Sequence, residues 1–357
     1  MKRPAIRGFV LVLVFVTAGV SGAPAQAPDK VTVRDRKDGS TKAYDGTFVV
    51  GPDGFQVLGG DKKAVATVNP DDVVKVAIGD LPGVDRGAIQ ALNAKEEKRD
   101  YDGVRLGYAE LLKKPGLGEK SKRYLEFKKT MMANKLVDET DADKGWKDKA
   151  DACVKDWTDF LGLEETKFGW EQWPAVRSCT RLQIELGKFD DAARAWSRVA
   201  KNPNAPPDAK LEAGIQEIDL QIRAKTAASA AASAAAELLK SAAGTRKDRL
   251  VIYEIAARSM GDAKPLDGVD KIRAEMNKTK DPGVHATGFS MLGELYLAAG
   301  KPRDAMWMFL WVETVVNQDK DEAFKAVAQL TAMFEKQGDE DQAKKYREKI
   351  KRLRGTF

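Results

Sequence analysis

The sequence predicts a mainly α protein headed by a small β module, and three observations lead there. Between residues 28 and 80, apolar and polar residues alternate at a period of two. From Leu81 onward the apolar period is helical and the breaks are short. Several of those breaks share one pattern: a Gly, then a helix carrying a small residue followed by a large apolar one.

Ahead of both regions stands a leader. Lys2, Arg3 and Arg7 are a basic n-region, and residues 9–20 are apolar but shorter than the roughly 20 needed to span a bilayer. Ala23-Pro24-Ala25 is an A-x-A cleavage site, so residues 1–25 read as a signal peptide and Gln26 as the mature start. An uncleaved anchor is the alternative. No cysteine lies near the cut, and no second long apolar run follows. The expectation is an exported protein, periplasmic or extracellular, with no transmembrane segment in the mature chain. With 43% hydrophobic and 32% charged residues among 357, a soluble chain of two or three domains fits, as does one domain plus a repeat array. Cleavage lowers the formal charge of +6 by three, which leaves too little to argue for nucleic acid.

In residues 28–80, Val31 and Val33 mark a first strand and Asp38-Gly39 a turn. Tyr44, Phe48 and Val50 mark a second strand, Pro52-Asp53-Gly54 a turn, and Phe55 and Val57 a third. After Gly59-Gly60-Asp61 comes a strand over residues 64–68. Asn69-Pro70-Asp71-Asp72 reads as one helical turn, and Val74, Val76 and Ile78 as a fifth strand. Five short strands with a single turn before the last resemble an SH3-like small barrel. That resemblance implies either a peptide groove lined by Tyr44, Phe48 and Phe55, or a module that caps the helices with those aromatics in its core.

In residues 84–357 the fullest unit is 284–316. Leu292, Gly293 and Tyr296 precede Gly300, and Ala305, Phe309 and Val312 follow it, with Pro302 just inside the second helix. The turn recurs at Gly187, followed by Ala192 and Trp196, and at Gly338, followed by Ala343 and Ile350. It recurs again at Arg99, where Arg stands in for Gly. Gly300 and Gly338 are separated by close to the period of about 34 residues that marks tetratricopeptide repeats. On these residues the chain resembles a TPR protein, best in 175–203, 284–316 and 319–353. The departures are Pro302, Thr331, Arg347, Cys179 and Gln183, each at a signature position. The resemblance implies an α-solenoid of helical hairpins, in which small residues let paired helices approach and neighbouring pairs stack.

Between the units, helices are expected over 120–137, 144–160, 209–224 and 246–259. The Ala-rich stretch 226–243 reads as a close-packed helix rather than a linker, because Ala is the strongest helix former. Cys153 and Cys179 sit about equally far from a loop near residue 166. They are therefore expected side by side on antiparallel helices, as a candidate disulfide.

Little in the chain points to catalysis. His285 is the only histidine, which excludes His-based triads and His-rich metal sites by count. No glycine-rich phosphate loop follows a strand, and no cofactor is implied. Trp146, Trp157, Trp170 and Trp173 read as core between helices, with a sugar platform as the alternative. Residues 344–354 are strongly basic and read as a solvated capping helix or a contact for an anionic envelope polymer.

The functional expectation is a non-enzymatic scaffold for a protein or peptide partner, with an envelope polysaccharide-binding or enzyme-accessory protein as the alternative. By the TPR resemblance, the first helix of each pair lines a groove. Thr287, Ser290, Glu294 and Leu297 would share it with Lys325, Ala328 and Glu335, and charge reversal at Glu294 and Lys325 would leave melting nearly unchanged.

Overall fold

A computed structural model of the chain describes residues 28–35, 38–51, 54–141, 144–162 and 168–354. The expected leader, residues 1–25, lies outside the described residues, as do Pro52 and Asp53 of the expected turn. No helix among the described residues is long and apolar enough to cross a membrane.

The described residues begin with five strands: β1 (Asp29–Arg34), β2 (Thr41–Gly51), β3 (Gly54–Leu58), β4 (Ala64–Val68) and β5 (Val73–Ala77). They form one antiparallel sheet in the order β4-β3-β2-β1-β5. A 3₁₀ turn over Pro70–Asp72, capped by the Asn69 side chain, leads into β5. The long strand β2 pairs with β1 along its first half and with β3 along its second, and Gly46 sits at the changeover. A Cβ there would lie 2.3 Å from the Leu58 carbonyl oxygen, so the sheet can fold over itself only at a glycine. Buried Asp29 clasps the module: its carboxylate accepts from Phe48 N at 3.1 Å and from Gly79 N at 3.0 Å.

Fourteen α-helices follow among the described residues. The first eight are α1 (Arg86–Glu97), α2 (Tyr101–Leu112), α3 (Glu119–Glu139), α4 (Trp146–Gly162), α5 (Gln172–Glu185), α6 (Phe189–Lys201), α7 (Pro207–Ala224) and α8 (Ala228–Leu238). Then come α9 (Gly244–Gly261), α10 (Val269–Met276), α11 (Pro282–Ala298), α12 (Pro302–Thr314), α13 (Lys320–Gln337) and α14 (Glu340–Arg354). The Ala-rich stretch forms α8, whose Ala231 and Ala235 are fully buried where it packs closely on α9.

The four corners expected from the sequence are built alike, and Ala263, with φ of 55° and a bond from Lys264 N to the Ser259 carbonyl, repeats the pattern. Arg99, Gly187, Gly300 and Gly338 have φ of 62°, 72°, 70° and 73°. At each, the next residue's N–H reaches back to the carbonyl five residues earlier: Asp100 to Lys95, Lys188 to Gln183, Lys301 to Tyr296 and Asp339 to Phe334. This is the hydrogen bond of a Schellman-type helix end, which needs a left-handed residue at the corner. Within a pair the helices come close: a Cβ on Gly293 would lie 2.6 Å from the Phe309 ring.

The sheet does not stand apart from the helices. Phe48 packs on Trp170 with ring centres 5.8 Å apart, and Phe55 meets Phe168 at 6.2 Å and Trp173 at 6.4 Å. Phe48 and Phe55 are therefore core and cannot line an open peptide groove. The last helices return to the early ones. Arg177 on α5 binds Asp321 on α13 at 3.0 Å, and Arg354 on α14 binds Glu185 on α5 and lies over the Trp146 ring. The succession of helices thus closes on itself.

Candidate functional site

The surface expected to be a groove is buried. Thr287, Ser290 and Glu294 on α11 and Lys325 on α13 are all inaccessible, and Ala328 is buried beside them. Leu297 is half-buried, while Glu335 is exposed and bound to Arg347 at 2.6 Å. The expectation of an accessible groove is corrected here, because α7 covers this face with side chains complementary to it. Lys325 Nζ lies 2.5 Å from Asp219 Oδ2, 3.2 Å from Gln216 Oε1 and 3.2 Å from Glu322 Oε1. Arg223 donates to Asp219 at 2.8 Å, to Glu322 at 3.0 Å and to Glu294 at 3.4 Å. Helix α9 adds Tyr253, whose hydroxyl donates to Glu322 at 3.4 Å, and Arg249, which donates to Thr287 at 3.1 Å.

Three carboxylates thus face three cations with every charge opposed. Burial alone would raise the Glu322 carboxyl, but Lys325 and Arg223 outweigh it and hold it below the usual carboxylate range. Glu294 has fewer counter-charges, and there burial wins and raises it despite Arg223. Burial would lower the Lys325 ammonium, but Asp219 and Glu322 raise it. With its charges neutralised and its groups sealed from solvent, the cluster locks α7, α9, α11 and α13 together and has no access for a substrate.

Other sequence candidates fall out in the same way. Trp146, Trp157 and Trp173 are buried, and the Trp157 indole donates to Asn134 at 3.1 Å. In the basic tail Arg347, Lys349, Lys351 and Arg354 are bound to Glu335, Glu313, Asp141 and Glu185. His285 is half-buried, its Nε2 2.9 Å from the Thr279 carbonyl oxygen. Cys153 on α4 and Cys179 on α5 lie on packed neighbouring helices and are free buried thiols. No group of three or more metal-ligating side chains gathers among the described residues.

The accessible feature that sequence reasoning missed is the outer face of α12. Trp307 is 64% exposed, Trp311 44% and Val315 49%, at a spacing of four residues that puts them in one ridge. Trp311 stacks on Phe289, ring centres 5.6 Å apart and planes 11° from parallel. Between residues 305 and 316 the one charged residue is Glu313, which is buried and bound to Lys349. The signal lay in the sequence as a run of four apolar or aromatic pairs without an accessible charge, but two tryptophans on a helix read as core by default.

Comparison with known proteins finds no matching family model, no matching curated protein and no matching solved structure.

Proposed function

We propose that this chain is an exported, non-enzymatic scaffold: a TPR-like α-solenoid on an SH3-like module, holding a protein partner on the outer face of α12. The observation that carries the reading is the uncharged ridge of Trp307, Trp311 and Val315 in a chain rich in charge. Exposed aromatic anchors surrounded by little else are the composition of an interaction hot spot. A ridge with a period of four fits the apolar stripe of an amphipathic partner helix. The recurrent corner at residues 99, 187, 300 and 338 supports the repeat reading, and the sheet order supports the barrel reading. A polysaccharide contact receives less support, because the clustered tryptophans are mostly core and much of the basic tail is paired internally.

The test compares the mature chain with a Trp307→Glu, Val315→Glu variant, in capture from an envelope fraction and in sedimentation. Circular dichroism of the two should coincide, because both positions are exposed. A defined protein held by the wild type and lost by the variant supports the reading. Identical captured sets reject the α12 face, and wild-type dimers that the variant cannot form assign it to a second copy.

A further inference from the structure

A cavity of about 630 Å³ lies among α4, α5 and α6, away from the α12 ridge. That is within the range of small-ligand sites, roughly 300–1,000 Å³. Leu161 and Val199 contribute apolar wall, and Cys179 and Gln183 on α5 line it from the buried side. Helix α6 lines the opening with Arg194, Arg198 and Lys201. Arg194 is bound to Asp191, but Arg198 and Lys201 have no ion-pair partner among the described residues.

Gln183 is 5% exposed, and its Oε1 has no hydrogen-bond partner among the described residues. An unmet buried carbonyl is costly, so natural proteins rarely leave one without a reason. Cations near the C-terminus of α6 suit its helix dipole. That accounts for their sign, but not for an unmet amide oxygen on the wall of the cavity beside them. The terminal torsion of a glutamine is soft, so its amide can turn to a ligand, and an amide both donates and accepts. A peptide group offers the matching pair.

We propose that this cavity binds a short acidic peptide, its carboxylates at Arg198 and Lys201 and one of its backbone amides at Gln183. The inference is independent of the α12 reading.

The test is calorimetric titration of the mature chain with a blocked tripeptide of glutamate, alanine and glutamate, and with its counterpart carrying glutamine for glutamate. The acidic peptide should bind saturably and about tenfold or more tighter than the neutral one, since charge-assisted bonds are roughly twice as strong as neutral ones. Arg198→Glu with Lys201→Glu, both exposed, should abolish that binding without shifting the melting temperature. Gln183→Met keeps the volume and removes the amide, and should weaken the acidic peptide about tenfold, the effect of one hydrogen bond to a ligand. The Trp307→Glu, Val315→Glu variant should bind the peptide as the wild type does. Equal affinity for the two peptides, no binding of either, or full binding by the charge-reversed or Gln183→Met variant would overturn the proposal.

Discussion

Arg223 and Glu322, 99 positions apart in the chain, meet at 3.0 Å with no solvent access to either side chain. Their contact ties α7 to α13, and so closes the inner face of the helical array. Removing one member of such a pair takes a counter-charge from a buried partner that keeps only its remaining contacts, and breaking a buried pair typically costs about 3–5 kcal/mol. Glu322→Gln should therefore lower the urea midpoint strongly, while Arg223→Met combined with Glu322→Leu should lower it less than the two single changes summed. The pH dependence follows from the direction of the shift. Glu322 is held below its ordinary 4.5, so its contribution is present above that pH and is lost as pH falls through the folded value. The stability gap between wild type and Glu322→Gln should narrow below pH 4.5. A gap unchanged by acid would place the carboxylate outside the network.

The same geometry reverses the expectation for Glu294 and Lys325. Charge reversal at both sites places a buried cation against Arg223 and a buried anion against Asp219. Far-ultraviolet circular dichroism should show a largely unfolded or aggregated chain, in place of the near-native melting that a solvent-exposed groove implies.

Arg99 is the one non-glycine among the four corners expected from the sequence, with φ of 62°. An L-residue pays for the left-handed region and a glycine does not. Arg99→Gly should raise the melting temperature, because the exposed contact to Glu139 that it loses is worth little. The converse change, Gly300→Ala, should cost about 1 kcal/mol. Thermal melts of the two variants should move in opposite directions.

These corners were legible in the sequence because a left-handed turn constrains residue type locally. The helices were legible for the same kind of reason, from apolar spacing within each segment. The buried network was not. The TPR resemblance sends Thr287, Ser290 and Glu294 to an open groove, and what holds Thr287 and Glu294 inside is Arg249 on α9 and Arg223 on α7, some forty and seventy positions earlier. One local sign did exist. Lys325 is the lone charge in the apolar run of residues 323–334, and a single charge in such a run is more often paired inside than solvated. The α12 ridge failed for the opposite reason: its residue types are those of a core, and only tertiary packing leaves them uncovered.

Cys153 and Cys179 give a prediction about reactivity. Burial pushes the Cys179 thiol up to about 12 and raises Cys153 as well. Alkylation proceeds through the thiolate, so at pH 8 the native chain should label slowly and the unfolded chain at both positions. Intact-mass measurement without reduction should find no loss of two protons. Because the folded value is raised above the ordinary 9.0, the stability contributed by the neutral Cys179 thiol is complete below pH 9 and is lost between 9 and about 12. Replacing Cys179 with Ala should flatten the alkaline limb of a stability profile.

The last prediction concerns whether sheet and helices unfold together. Phe55 is buried from both sides, by Phe48 within the module and, from the array, by Phe168 just ahead of α5 and Trp173 on α5. The Trp173 indole also donates to Asp71 at 2.8 Å, and Arg177 binds Asp71 at 2.9 Å while holding Asp321 of α13. One arginine thus joins the 3₁₀ turn before β5, helix α5 and the far end of the array. A core shared across a boundary makes the two sides one cooperative unit. Phe55→Ala should cost about 3–5 kcal/mol, the usual range for emptying a buried aromatic site. That loss should appear in the melting of the helices, not in a separate early transition of the sheet. Far-ultraviolet signal at 222 nm, which reports helix, should move with tryptophan fluorescence, to which Trp170 and Trp173 at the boundary contribute among the seven tryptophans. If the variant's fluorescence melts first and its helical signal keeps the wild-type midpoint, the module is an independent domain resting on the array, and the packing of Phe48 and Phe55 contributes nothing to the helices.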